Sequence, residues 1–248
     1  MKIVVIQSGS KGNATLIIEK GRVLLIDMGI TLKSLKEALI MEGLNIMSID
    51  AMLLTHEHSD HTAGISYLPP LPIYCTKETY DAPNCEYVEP FQKFVIGPFT
   101  INPVSTSHDV KNPIGFIIET EKEKLVYVTD TGKITGKTLQ KMKNADYYVI
   151  ESNHDVDMLM ATNRPWFLKQ RILSNKGHLS NEQSATYMTR CVGKRTKQII
   201  LAHLSEEAND PCLALDTYEK IFEKAGISQE NLEIFCANQH KIVIGGNK

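Results

Sequence analysis

Apolar and polar positions alternate in short runs at the start of the chain. KIVVIQS (Lys2 to Ser8), NATLIIE (Asn13 to Glu19) and RVLLID (Arg22 to Asp27) each read as a strand, separated by glycine-bearing turns. From Thr31 the period changes: Leu32, Leu35, Leu39 and Ile40 recur at helical spacing until Gly43, predicting an amphipathic helix. Another strand, DAMLLT, follows from Asp50. The stretch from PPLPIYC to Gln92 mixes prolines with short apolar runs and predicts a surface excursion with one or two minor strands. FTINPVSTS, IGFIIET, KLVYVTD and DYYVIES then predict four more strands, with a helix from Thr135 to Lys143 between the last two. Ser180 with Gln183 forms a capping-box pattern opening NEQSATYMTRCVG, and PCLALDTYEKIFEKAG begins on proline and ends on glycine, so two helices flank the strand QIILA. LEIFC and KIVIG close the chain as strands. Strands followed by helices occur twice, which predicts two β-sheets packed face to face with helices outside.

At 248 residues with 42% apolar side chains, one core spanning residues 1–248 is the simplest organisation. The apolar run of MKIVVIQSGS is too short for a secretory signal, and no stretch is long enough to span a bilayer, so a cytoplasmic location away from membranes is expected. Five scattered cysteines without a CxxC argue against a disulfide framework or a cysteine-only zinc knuckle. Net charge is −2, yet the segment from Asn163 to Lys197 holds eight basic residues against Glu182 alone. A basic lip beside an acidic body is one reading; solvated loop and helix faces without a common target is the other.

The densest chemistry lies in LLTHEHSDHTAG, where His56, His58, Asp60 and His61 occur within six residues behind an apolar run. Residues two apart do not share a helix face, so His56 and His58 converge best on a loop, with Asp60 and His61 beginning a turn into helix. Imidazole suits zinc, manganese and iron, and a carboxylate among the imidazoles keeps the site hard enough for oxygen chemistry. Such a cluster buried without metal would carry a desolvation cost. His108, Asp130 and His203 likewise stand close behind the ends of apolar strands. Strands running the same way would deliver all of them to one edge.

These motifs, THEHSDH, then Ser107-His108, TDTG (Thr129 to Gly132) and AHLS (Ala202 to Ser205), resemble in their order those of the metallo-β-lactamase fold superfamily, over almost the entire chain. The resemblance implies a four-layer αββα sandwich of two mixed sheets. LLIDMG resembles the first motif, whose aspartate, here Asp27, supports the histidine loop. By the same resemblance His56, His58 and His108 would hold one divalent ion, zinc or manganese rather than iron, and Asp60, His61 and His203 a second, with Asp130 bridging. A metal-bridging hydroxide would then be the nucleophile, Asp60 would take a proton or hydrogen bond from it, and His203 would lie towards the departing group. Glu57 reads as a supporting or surface residue.

GSKGN (Gly9 to Asn13), ESNHD (Glu151 to Asp155) and GHLSN (Gly177 to Asn181), with RPWFLKQRILS between the last two, resemble the WalJ/YycJ-type branch of DNA-directed exonucleases. That branch implies a DNA substrate, RNA being the second possibility, and cleavage from the 5′ towards the 3′ end. NKGHLSN sets Lys176 and His178 before a capped helix start that favours phosphate, so His178 is a candidate phosphate clamp or general acid, and His154 a candidate of the same kind. Arg164, Lys169, Arg171 and Lys176 could track a nucleic-acid backbone. Trp166 beside Pro165 reads as packing or as a base-stacking residue, and His240 as structural. Three other functions share the superfamily: hydrolysis of a small ester, thioester or lactam; tRNA 3′ processing, for which no long extruding arm is visible; and a non-catalytic metal-bearing nucleic-acid-binding or redox module. Oligomeric state is not written in these patterns.

Overall fold

A computed structural model describes residues 1–247; the last position of the expected 1–248 unit lies outside them. The chain first builds one sheet. Strands β1 (Lys2–Gln7), β2 (Ala14–Glu19) and β3 (Arg22–Ile26) form an antiparallel meander, and helix α1 (Leu32–Met41) crosses over to β4 (Ala51–Leu53), parallel to β3. The one-turn helix α2 (Ser59–Thr62) leads to the short parallel strands β5 (Ile73–Cys75) and β6 (Cys85–Tyr87). The second sheet follows: β7 (Phe94–Ile96), β8 (Phe99–Ser105) and β9 (Ile114–Glu119) are antiparallel to one another, and β10 (Lys124–Val128) is antiparallel to β9. Helix α3 (Gly136–Met142) connects to β11 (Tyr147–Glu151), helices α4 (Val156–Ala161), α5 (Trp166–Leu173) and α6 (Asn181–Thr189) precede β12 (Gln198–Ala202), and α7 (Pro211–Lys224) precedes β13 (Glu233–Cys236). Strands β10 to β13 run parallel. The last strand, β14 (Val243–Gly246), returns to the first sheet and pairs with β1. Among the described residues each sheet has seven strands, in the orders β14-β1-β2-β3-β4-β5-β6 and β13-β12-β11-β10-β9-β8-β7.

Strand periodicity divides the apolar residues into three layers of contact. Ile3, Val5, Ile17, Leu24 and Ile26 face Phe99, Ile101, Phe116, Leu125, Tyr127 and Val149 between the sheets. The alternate positions Val4, Leu16, Val23 and Leu25 pack beneath Leu35, Ala38 and Leu39 of α1. On the other outside face, Val126, Val128, Ile150, Ile199 and Leu201 lie under Leu139 and Met142 of α3, Ala185 and Met188 of α6, and Tyr218 and Phe222 of α7. Burial on both faces explains why the central strands read as nearly unbroken apolar runs. The architecture is thus the expected α/β sandwich of two mixed sheets flanked by helices.

Local signals act where expected. Thr31 caps α1 through Ser34 N, Ser180 and Gln183 close a reciprocal capping box on α6, and Asp210 caps α7 just ahead of Pro211. Helix α6 stops at Thr189, with Arg190 as its C-cap, and so covers only the first part of NEQSATYMTRCVG. The pair α4 and α5 was not foreshadowed by the hydrophobic pattern, because six and eight residues give too few turns for a period to register. This pair stands on a small core of its own, Leu159, Ile172 and Ala208 with Leu168 against them.

Candidate metal centre

Parallel strand direction assembles the site. Strands β3, β4, β10, β11 and β12 end at one rim, where Asp27, the loop from Thr55 to His61, Asp130, Glu151 and His203 follow their strands, and β8, which runs with β10, delivers His108. Asp27, Asp130 and His203 adopt φ angles of 59°, 52° and 56°. Left-handed backbone at a non-glycine residue costs energy, and here it bends each chain sharply off its strand into the cleft. The approach is close: a Cβ on Gly29 would lie 1.6 Å from the carbonyl oxygen of Asp60, so only glycine lets the first motif pass under the histidine loop.

The expected residues meet. Ligating atoms of His56, His58 and His108 lie within 4.8 Å of one another, as do those of Asp60, His61 and His203. Asp130 adjoins both groups: its ligating oxygen lies within 4.8 Å of ligating atoms of His56 and His61, and within the second group Oδ2 is 3.4 Å from His61 Nε2 and Oδ1 is 3.4 Å from His203 Nε2. Asp130 Oδ2 and His203 Nε2 are buried without a hydrogen-bond partner, an arrangement that is costly for protein alone and suited to a cation. On four of the histidines the other ring nitrogen is tied down. His61 Nδ1 is 2.8 Å from Asp27 Oδ2, His203 Nδ1 is 3.1 Å from Glu151 Oε1, His56 Nδ1 is 3.0 Å from Thr55 Oγ1, and His108 Nδ1 is 3.2 Å from the Gly177 carbonyl. Such contacts fix the tautomer and aim the other nitrogen inward, the pattern of metal-ligating imidazole. The donor set therefore fits divalent ions on its own geometry.

Charge balance points the same way. Burial disfavours ionisation of Asp60, but the close approach and charge of His203, with the charge of His61, outweigh it and hold the carboxyl at about 2. Burial lowers the His61 pKa, but Asp27 and Asp130 raise it to about 9, and His203 is raised well above the usual imidazole value by Asp130, Asp60 and Glu151 against the same burial. His56, without such a partner, is pushed far down by burial and by neighbouring imidazoles. The carboxylates around His61 and His203 hold positive charge in place, as imidazolium in the protein alone or as metal once bound.

Three residues outside the expected set belong to the site. Glu151, fully buried at the end of β11, accepts hydrogen bonds from Thr131 N and Leu179 N and lies 2.8 Å from His178 Nδ1 as well as beside His203. Burial would raise its pKa, but His178 and His203 hold it well below the carboxylate range. Its place at a strand end was the readable signal. Asn13, from GSKGN, accepts from Gly9 N at 2.9 Å and directs Nδ2 to the Asp60 carbonyl and to 3.4 Å from Asp60 Oδ2. Asp109 lies 3.4 Å from His108 Nε2 and 3.8 Å from His58 Nε2, and pairs with Arg171.

The other expected residues divide. His178 joins the cluster through Glu151, 3.9 Å from Asp130 Oδ1. His154 does not: it is buried, its Nδ1 is 3.3 Å from Asn153 Oδ1, and it lines a separate cavity with Asp155, Asp157 and Glu182. Burial lowers its pKa to about 4. Lys169 is a correction: its Nζ turns inward and donates to the carbonyls of Met160 and Thr162 at 2.7 Å, so it is spent on joining α4 to α5 and is withdrawn as a nucleic-acid contact. Arg171 and Lys176 are exposed on the rim, while Arg164 pairs with Glu207. Trp166 is exposed rather than packed, Glu57 points to solvent, and His240 pairs with Glu206 on the surface. Among the described residues no helix is long and apolar enough to cross a membrane.

A family model for the β-lactamase superfamily domain matches residues 22–204, which contain all seven clustered ligand candidates. The exodeoxyribonuclease YycJ of Bacillus anthracis is 34% identical over 235 residues, covering 90% of this chain and 89% of the relative. The exodeoxyribonuclease WalJ of Streptococcus pneumoniae is 37% identical over 223 residues, covering 84% of this chain and 83% of the relative. In structure, the metallo-β-lactamase fold protein YhfI of Bacillus subtilis superposes with a TM-score of 0.69 at 20% identity, over 98% of this chain and 99% of that one. Motif order, sandwich, ligand cluster and similarity over most of the chain agree: the chain belongs to the β-lactamase superfamily as a metal-dependent hydrolase, in the branch of the YycJ and WalJ exodeoxyribonucleases.

Proposed function

We propose that the protein is a DNA exonuclease that works from the 5′ towards the 3′ end with two divalent ions. The observation that carries this reading is Asp130, which lies within ligand distance of His56 in one set and of His61 and His203 in the other, supported by similarity to relatives named as exodeoxyribonucleases. His56, His58 and His108 would hold one ion, Asp60, His61 and His203 the other, with Asp130 shared. Such a pair, when bound, supplies a water of lowered pKa and neutralises charge on a phosphodiester undergoing in-line displacement.

The chain's own groups supply the rest. Asp60, anchored through Asn13, accepts a hydrogen bond from the attacking water. His178, held by Glu151, would hand a proton to the departing oxygen, in the general-acid role. Arg171 and Lys176 on the rim attract backbone phosphate. Zinc or manganese satisfies this mixed imidazole and carboxylate set.

The test is metal analysis of the purified protein together with digestion of end-labelled single- and double-stranded DNA and RNA, with and without a 5′ phosphate. Wild type should release nucleotides progressively from the 5′ end of DNA, and Asp60→Ala or His58→Ala should abolish release. Full activity in a metal-free variant, or hydrolysis confined to small esters or lactams, would sink the reading.

A further inference from the structure

We propose that Asp109 is a positioning residue for the first ion: it accepts a hydrogen bond from the outward nitrogen of His58 and supplies negative charge to the His56, His58 and His108 set. This rests on the two-ion reading above and deepens it, by giving a role to a carboxylate outside the seven ligand candidates.

Ring direction singles out His58. His56 Nδ1 is engaged by Thr55 Oγ1, which leaves Nε2 to face the site, and that Nε2 lies 3.2 Å from His58 Nδ1. His58 therefore turns Nδ1 inward and Nε2 outward. On His56, His61, His108 and His203 the outward nitrogen has a partner within 3.2 Å; among the described residues that of His58 has none, and the carboxylate beside it is Asp109, whose Oδ1 is 3.8 Å away. Closing that gap by about 1 Å gives a charge-assisted hydrogen bond. A carboxylate in this place fixes the ring of a metal-binding imidazole and raises its basicity. Asp109 belongs to none of the groups of converging ligand atoms among the described residues, so it acts through His58.

Charge points to the same residue. The second set contains Asp60, with Asp27 and Glu151 behind His61 and His203, whereas the first consists of three imidazoles and a share of Asp130. Asp109 Oδ1 is 3.4 Å from His108 Nε2, the nitrogen that the Gly177 carbonyl leaves inward, close enough to attract a cation held there. Arg171 pairs with Oδ2, the other oxygen, and so leaves Oδ1 to the histidines. The guanidinium is itself held in place. It stands in the last turn of α5, and the chain that follows is fastened to the rim, since Ser107 Oγ donates to the Asn175 carbonyl at 2.8 Å and a Cβ on Gly132 would lie 2.3 Å from the Ser174 carbonyl oxygen.

The experiment titrates zinc against a chromogenic chelator into wild type, Asp109→Ala, Asp109→Asn, Glu57→Ala, His58→Ala and His58→Ala/Asp109→Ala, each stripped of metal beforehand and without DNA. Wild type should take up two ions. Asp109→Ala should bind one of them about ten- to a hundredfold more weakly and hold the other as wild type does. The isosteric Asp109→Asn keeps the packing and removes the charge, and should show a smaller loss at the same ion. Glu57→Ala, which removes an exposed carboxylate from the same loop, should change neither affinity. With the first ion already lost in His58→Ala, adding Asp109→Ala should leave the remaining affinity unchanged. Four results would overturn the assignment: wild-type affinities in Asp109→Ala, equal weakening of both ions, a matching loss in Glu57→Ala, or a further loss in the double variant. If wild type cleaves no nucleic acid, the nuclease reading falls, and the zinc affinities still decide the role of Asp109.

Discussion

Lys169 shows how a side chain with the right charge can be committed elsewhere. In sequence it is one more cation in a basic segment; in the fold its ammonium holds two carbonyls at the junction of α4 and α5. Lys169→Met should therefore cost about 1–3 kcal/mol, because both acceptors lose their donor, while the salt dependence of DNA binding stays as in wild type. Denaturant midpoints and a salt titration separate the two effects. Glu151 is the converse, a residue whose role appears only when β11 is placed between β10 and β12. Its carboxylate holds His178 and His203 together, so Glu151→Gln should fold normally by circular dichroism yet lower kcat about a hundredfold. The histidine loop was legible because its members are adjacent in sequence, and His108, Asp130 and His203 because each follows an apolar strand.

At the scale of elements, caps and periodicity were readable and spatial reach was not. Helix α7 begins where Asp210 accepts from Cys212 N and Leu213 N ahead of Pro211, a signal written in consecutive residues. Asp210→Ala should cost about 1 kcal/mol, read from thermal or denaturant unfolding, with no effect on metal content. The helices α4 and α5 left no such trace. Their placement rests on contacts across the fold, including Gly132 against the turn after α5 and the Gly177 carbonyl beside His108. These contacts make the basic segment part of the metal cleft's rim.

For the whole molecule, the closing strand ties distant parts of the chain together. Beside β14, Glu123 accepts from Asn247 Nδ2 at 3.0 Å, from Tyr147 and from Lys197, and pairs with the amino group of Met1. Burial would raise the Glu123 pKa, but these partners hold it at about 2, below its ordinary 4.5. The unfolded chain thus takes up the proton first as pH falls. The stabilisation is complete above about 4.5 and is lost as pH drops towards 2. Glu123→Gln should narrow the difference between urea midpoints measured at pH 7 and pH 3; an unchanged difference would refute this linkage. By itself the sequence determined most strands and helices, their caps, the two-layer β core and five of the seven clustered residues as strand-end or loop residues, with Asp60 and His61 placed in the turn that follows. Each of these follows from side-chain period or from neighbours along the chain. Tertiary structure alone decided that β14 returns to β1, that Lys169 is turned inward, that Glu151 joins two histidines and that Arg171 reaches Asp109 beside His58 and His108. Those outcomes depend on which distant backbones approach closely enough to share a hydrogen bond or exclude a side chain, and such distances are not encoded in local periodicity.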